Sequence, residues 1–189
     1  LAVLLWAKWN AQVLLVVMTL LVLAGLGFYD DYLKVTRRNS EGAKSRVKLI
    51  VQALLAGGIA LYLWMLPSTR ALVTEIQVPF LKSPILWGAP VAGGLLVALT
   101  LIGSSNACNL TDGMDGLAIS CTLVVALVLL FMSYIADNVR FATHLQVPHV
   151  RGASELCVVC GALVGASLGF LWFNCFPAQV FMGDIGSLS

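Results

Sequence analysis

Apolar residues in this chain come in long uninterrupted blocks, separated by short stretches that hold nearly all of its charge. Uncharged runs cover Ala11–Tyr29, Leu49–Leu66, Trp87–Ser105, Ala118–Ile135 and Leu156–Phe173. Each is at least about 18 residues long, enough at 1.5 Å per residue to cross most of a hydrocarbon core roughly 30 Å thick. The pattern predicts an all-α, polytopic membrane helix bundle with five full transmembrane helices, about 11–29, 49–66, 87–105, 118–135 and 156–173, in a single integral membrane domain over 1–189. Leu1–Trp6 (LAVLLW) is too short to span and reads as the tail of an earlier helix. The chain lacks an initiator Met and opens inside an apolar run, so it is expected to be an internal piece of a longer protein. No charged n-region or small-residue cleavage site precedes the first run, which leaves insertion to the helices themselves.

Composition agrees. Of 189 residues, 60% are hydrophobic and 11% charged, and the mean hydropathy is +0.95. Soluble domains run at about 45–50% apolar and about 25% charged, so that class is excluded. The cysteines, Cys108, Cys121, Cys157, Cys160 and Cys175, lie within or beside the apolar runs. Cys157 and Cys160 have C-x-x-C spacing but no second ligand pair, and their Leu and Val flanks favour packing on one helix face over metal or redox chemistry.

Charge then orients the spans. The connection 30–48 holds Lys34, Arg37, Arg38, Lys44, Arg46 and Lys48, six of the eleven basic residues, and the positive-inside rule assigns it to the cytoplasm. Alternation puts 106–117 and 174–189 on the same side, with 67–86 and 136–155 outside. EIQVPF, with Pro79 and Pro84, is a candidate small strand or hairpin, and 136–155, with His144 and His149, reads as a polar connector. The cytoplasmic segments carry DDYLK, NACNLTDGMDG and FMGDIGS. All the aspartates of these motifs are thereby expected at one membrane face, where ionisable groups are kept mostly for function.

Asn106, Asn109, Asp112 and Asp115 recur every third residue. On a regular helix that spacing spirals by about 60° per step, so a tighter turn, or a break at Gly113 and Gly116, is needed to aim them at one point. Carboxylates and Asn carbonyls are hard oxygen donors suited to Mg2+, and an Asn amide suits a phosphate or a base. Asp184 lies between Gly183 and Gly186, with the Ser187 hydroxyl close by. Asp30 and Asp31 are adjacent, about 100° apart on a helix, so they divide roles rather than chelate one ion. Lys34, four residues after Asp30, shares its face if the helix continues, either as a phosphate contact or as a counter-ion. The competing structural reading is helix capping and loop solvation.

GFYDDYLKV, SSNACNLTDGMDGLA and PAQVFMGDIGSLS resemble the signature motifs of the polyprenyl-phosphate N-acetylhexosamine-1-phosphate transferases, and within them the muramoyl-pentapeptide branch. The resemblance covers essentially the whole chain. It implies a ten-helix enzyme of the bacterial inner membrane with a cytoplasmic active site, the present spans being its third to seventh. That enzyme moves phospho-MurNAc-pentapeptide from UDP-MurNAc-pentapeptide to undecaprenyl phosphate, giving lipid I and UMP with Mg2+. By motif position, the resemblance implies Asp184 as the metal ligand, Asp30 as the residue acting on the lipid phosphate, and Asp31 beside it. It further implies Asn109, Asp112 and Asp115 as contacts to nucleotide and pyrophosphate, Asn174 and Phe181 as lining of the nucleoside pocket, and Lys34 and Lys48 as substrate-binding lysines. Asn106 joins the substrate-binding set as the first residue of that spacing. Membrane lipid surrounds such an enzyme, homodimers are known in the family, and no nucleic-acid partner is expected.

Two other readings compete. The first is the N-acetylglucosamine-1-phosphate branch of the same superfamily, from which the family's histidine-rich motif, not in this chain, would discriminate. The second is an ion transporter, which predicts charges within the spans, whereas all five runs are uncharged.

Overall fold

A computed structural model describes residues 1–37, 42–67, 69–76, 85–86 and 88–189. The described residues are overwhelmingly helical: α1 (Ala2–Trp6), α2 (Ala11–Arg37), α3 (Ser45–Met65), α4 (Arg70–Thr74), α5 (Pro90–Thr111), α6 (Leu117–Asp137), α7 (Val139–Leu145), a 3-10 turn (Ala153–Glu155), α8 (Leu156–Asn174) and α9 (Gly183–Leu188). Five helical segments are long and apolar enough to cross a membrane: α2, α3, α5, α6, and the 3-10 turn with α8. The protein is a multi-pass, all-α membrane protein.

Several of these helices extend beyond the apolar runs, the first and third spans by the most. The first apolar run ends at Tyr29 while its helix continues to Arg37, because DDYLKVTR holds no glycine or proline to stop it. The third run ends at Ser105 while its helix continues to Thr111, taking Asn106 and Asn109 into α5; the first glycine after them is Gly113. Polar residues end a hydrophobic run without ending a helix.

The chain forms two compact units, Leu1–Gly27 with Cys108–Ser189, and Phe28–Ala107, and the division falls inside α2 and α5. In the first unit α6 and α8 make the most extensive pairing. Cys157 Sγ contacts the Leu130 carbonyl across that pairing at 3.3 Å, a packing role for the C-x-x-C pair. A small core of Ala7, Val13 and Val159 is surrounded by Val3, Val16, Val17, Leu156 and Val158. The connector after α6 is ordered by polar contacts: Asn138 caps α7 by accepting from the Arg140 and Phe141 amides, Asp137 Oδ1 accepts from Gly152 N at 2.6 Å, and Asn10 Nδ2 donates to Gly152 O at 2.9 Å. His149 Nε2 lies 3.0 Å from the Asp137 carbonyl oxygen, and His144 sits in the last turn of α7.

In the second unit α4 packs against α3. Ile76 and Leu86 form an isolated antiparallel bridge, with Ile76 N donating to Leu86 O at 3.1 Å and Ile85 N to Ile76 O at 2.9 Å. The rest of EIQVPF, with Pro79 and Pro84, for which a small strand or hairpin was expected, lies outside the described residues.

Large apolar side chains cover the outside, Leu99, Val125, Val128 and Leu168 among them. In lipid this surface carries no hydrophobic penalty, so helix association rests on close packing of small residues and on internal hydrogen bonds. Ala126 on α6, 1% exposed, is such a contact. Ala126→Leu is expected to overpack it at a cost of about 1–3 kcal/mol, whereas Val125→Leu stays within about 0.5 kcal/mol. Thermal melts of the full-length protein in one detergent separate the two.

Candidate functional site

Each unit holds one polar cluster. In the Phe28–Ala107 unit the continuation of α2 past its apolar run sets Asp30, Asp31 and Lys34 on consecutive turns. Lys34 Nζ lies 2.6 Å from Asp30 Oδ2 and 3.7 Å from Asp31 Oδ1, the i,i+4 contact that the spacing anticipates. From the first turn of α3, Lys48 Nζ reaches Asp30 Oδ1 at 2.9 Å, and the Ala43 amide donates to the same oxygen at 2.7 Å. Asp30 is fully buried. Its carboxylate therefore meets two ammonium groups and a backbone N–H, the compensation that a charge out of water requires. Asp31, one residue on and rotated away, is half-buried.

Gly42 packs directly on the Asp30 carboxylate. A Cβ there would overlap all three carboxyl atoms, so only glycine lets the chain pass close enough for Ala43 N to donate. Lower on the same helix faces, Gln52 Nε2 donates to Ser105 Oγ at 3.2 Å and Asn106 Nδ2 donates to Gln52 Oε1 at 2.9 Å.

The other unit holds Asn109, Asp112, Asp115, Asn174, Phe181 and Asp184. Asn174 ends α8, is 5% exposed, and uses both halves of its amide on backbone. Its Oδ1 accepts from Gly116 N at 3.1 Å, and its Nδ2 donates to Val180 O at 2.8 Å. Asp115 Oδ2 accepts from Ala178 N at 3.1 Å. These bonds tie the turn after α5 to the segment between α8 and α9. Asn174 is thus a clasp between two loops; the pocket-lining role implied for its amide has to be shared with that task. Asn109 Nδ2 donates to Ser187 Oγ at 2.9 Å. Phe181 is 76% exposed.

Asp184 stands in the first turn of α9. Gly27 lies against its backbone so closely that a Cβ would overlap the Asp184 carbonyl, which makes glycine a requirement for α2 and α9 to touch there. Within its own unit, then, each cluster brings together residues that were singled out separately: Asp30 with Asp31, Lys34 and Lys48, and Asp115 with Asn174. Asn106 and Asn109, both on α5, take different partners, Gln52 and Ser187, as the spiral of their every-third-residue spacing dictates. Gln52, Gly27 and Gly42 went unremarked as site residues in the sequence. A lone amide inside an apolar run is the signal for Gln52; the two glycines carry none that sequence alone makes specific.

Residues 13–189 match the glycosyl transferase family 4 profile. The chain is 47% identical over 192 residues to the phospho-N-acetylmuramoyl-pentapeptide-transferase of Geobacter sp. strain M21, covering 98% of this chain and 51% of that protein. Identity to the proteins of the same name from Citrifermentans bemidjiense and Pelobacter propionicus is 47% and 46%, again over 98% of this chain and 51% of each. The chain thus spans about half the length of the curated relatives it matches.

Two substitutions test the geometry. Asn174→Ala leaves Gly116 N and Val180 O without their partner, at about 1–3 kcal/mol for each group that water does not reach, and Asn174→Asp, which sets an unpaired charge against Val180 O, is expected to lose at least as much. Lys48→Met is expected to destabilise more than Lys34→Met, because the Lys48 side chain is 18% exposed against 34%, and breaking a buried pair costs about 3–5 kcal/mol against about 0–1 for an exposed one. Melts of the full-length protein in detergent read both comparisons.

Proposed function

We propose, because the chain belongs to glycosyl transferase family 4, that it is part of an enzyme of the bacterial inner membrane, and that the enzyme transfers phospho-MurNAc-pentapeptide from its UDP carrier to undecaprenyl phosphate, releasing UMP and forming lipid I. The observation that carries the reading is the assembly of Lys34 and Lys48 around buried Asp30, on a helix that leaves the apolar run just before it. The two ammonium groups balance the carboxylates of Asp30 and Asp31, and they stand ready to turn to an anionic headgroup at the end of a span where a lipid phosphate lies. The name carried by the relatives supplies the substrate class.

In the reaction an oxygen of the lipid phosphate attacks the phosphorus next to the sugar. A new P–O bond forms there, the bond to the UMP oxygen breaks, and UMP leaves with that electron pair. Phosphoryl transfer needs alignment and charge neutralisation more than covalent help. A phosphate monoester with its second pKa near about 6 is already largely dianionic at neutral pH and needs no base. Both Asp30 oxygens are engaged by Lys34, Lys48 and Ala43 N, which suits a residue that holds the lysines in place. Asp31, half-buried beside them, is the more accessible carboxylate. Asn109, Asp112, Asp115 and Phe181 are assigned to the nucleotide and its pyrophosphate, with Asn174 holding their loops together.

The Asp184 carboxylate, in the first turn of α9, is a hard oxygen donor of the kind that suits Mg2+. Asp184 would hold the ion, whose contribution when bound is to neutralise pyrophosphate charge. The cytoplasmic face is assigned to 30–48, 106–117 and 174–189 from the basic residues of the first.

Purified full-length protein, given undecaprenyl phosphate, Mg2+ and either UDP-MurNAc-pentapeptide or UDP-GlcNAc, is expected to release UMP with the muramoyl donor alone. Turnover of UDP-GlcNAc instead would move it to the other branch, and turnover of neither would defeat the transferase reading. Asp184→Asn is expected to lower kcat on the order of 10²–10³-fold, the range for removing one electrostatic stabiliser, at unchanged abundance in the membrane. A radiolabelled phospho-peptide containing Asp30 or Asp31 would replace direct attack by a covalent route.

A further inference from the structure

Gln52 has none of its surface exposed, in the second turn of a helix whose other face is apolar. It stands four residues after Lys48, on the same side of α3. Its amide forms the middle of a directional chain. The Ile102 carbonyl accepts from Asn106 Nδ2 at 2.7 Å. The same nitrogen donates to Gln52 Oε1 at 2.9 Å, and Gln52 Nε2 donates to Ser105 Oγ at 3.2 Å. Which way an amide points is ordinarily open to a flip of N for O. Here the backbone carbonyl of Ile102 closes that choice, since a carbonyl can only accept. With both Nδ2 hydrogens committed, Asn106 has one functional atom left, Oδ1, which enters no hydrogen bond among the described residues.

We infer that Gln52 is a positioning residue that fixes Asn106 as an acceptor for the sugar-nucleotide donor. This rests on the transferase reading and on the place of Asn106 among its substrate contacts. So held, Asn106 receives a hydroxyl or N–H of the nucleotide or sugar, or an oxygen-seeking cation, and cannot hold a phosphate oxygen, which needs a donor. One face of α3 thereby serves both substrates: Lys48 through Asp30, and Gln52 through Asn106. The chain also explains an amide deep in an apolar helix. A bare packing position would take Leu or Met, whereas a fixed acceptor needs a partner that accepts from Nδ2 and is itself oriented by Ser105.

The test is a double-mutant cycle in the full-length enzyme, with UDP-MurNAc-pentapeptide and undecaprenyl phosphate as substrates. Gln52→Met keeps the volume and removes the acceptor. It is expected to raise the KM for the sugar nucleotide about tenfold, the weight of one net hydrogen bond, and to leave the KM for the lipid unchanged. In an Asn106→Ala background the same substitution is expected to add nothing, because the two act as one unit. Gln52→Glu, whose neutral carboxyl accepts from Asn106 and donates to Ser105, is expected to stay within about threefold of the parent. Losses that multiply in the double variant, or a Gln52→Met enzyme within about twofold of the parent, overturn the inference. So does a Gln52→Glu enzyme as impaired as Gln52→Met at equal abundance, which also decides the matter should the Met variant fail to accumulate. A parent that turns over no sugar nucleotide overturns the function, and the inference with it; an active parent with an additive cycle overturns the inference alone.

Discussion

A carboxylate with none of its surface exposed cannot stand alone next to a hydrocarbon phase, and the Phe28–Ala107 unit is arranged around that constraint at Asp30. Ionised and unpaired, it would carry a desolvation penalty of several kcal/mol even after relaxation. Lys34 answers from the same helix, Lys48 from α3, and the Ala43 amide from the segment between them. Each answer requires something of the chain. α2 has to stay helical for a turn beyond its apolar run, α3 has to begin with a lysine in its first turn, and position 42 has to lack a side chain.

The other unit meets the same constraint with neutral groups. Asn174 sits where an apolar helix ends and two loops need joining, and it satisfies a donor on one loop and an acceptor on the other. An aspartate could accept from Gly116 but not donate to Val180, and a lysine could do only the reverse. An asparagine alone does both without bringing a charge that would need a partner of its own. The turn bearing Asp112 and Asp115 is therefore held by an amide together with the bond from Ala178 N to Asp115.

These physical differences decide what was legible in the sequence. Spans were legible because lipid demands about twenty apolar residues in a row, and no other requirement produces that pattern. The Asp30–Lys34 contact followed from helical spacing once the helix was allowed to continue. Lys48 is eighteen residues from Asp30, and no local rule pairs them; only the resemblance singled it out. α2 and α5 run past their apolar runs because hydropathy marks where lipid stops, while helices stop at residues such as Gly113 that break backbone bonding. Gln52 passed unnoticed for a related reason: a neutral amide does not interrupt an uncharged run, although burying it unpaired would cost about as much as losing a hydrogen bond.

That omission bears on how such a site works. Charges are conspicuous in an apolar sequence, yet a charge held by a flexible side chain defines neither direction nor handedness. Lys34 and Lys48 supply field, and a phosphate can approach an ammonium group from many angles. Asn106, with its nitrogen spent on Ile102 and Gln52, offers a single acceptor in a single direction. Rate in phosphoryl transfer depends on alignment as much as on neutralisation. On the proposed function, the neutral network on α3 and α5 would be as much a part of the chemistry as the ion pairs around Asp30. In a membrane helix it is also the less costly way to obtain direction, because an amide with both ends bonded carries no net charge to desolvate.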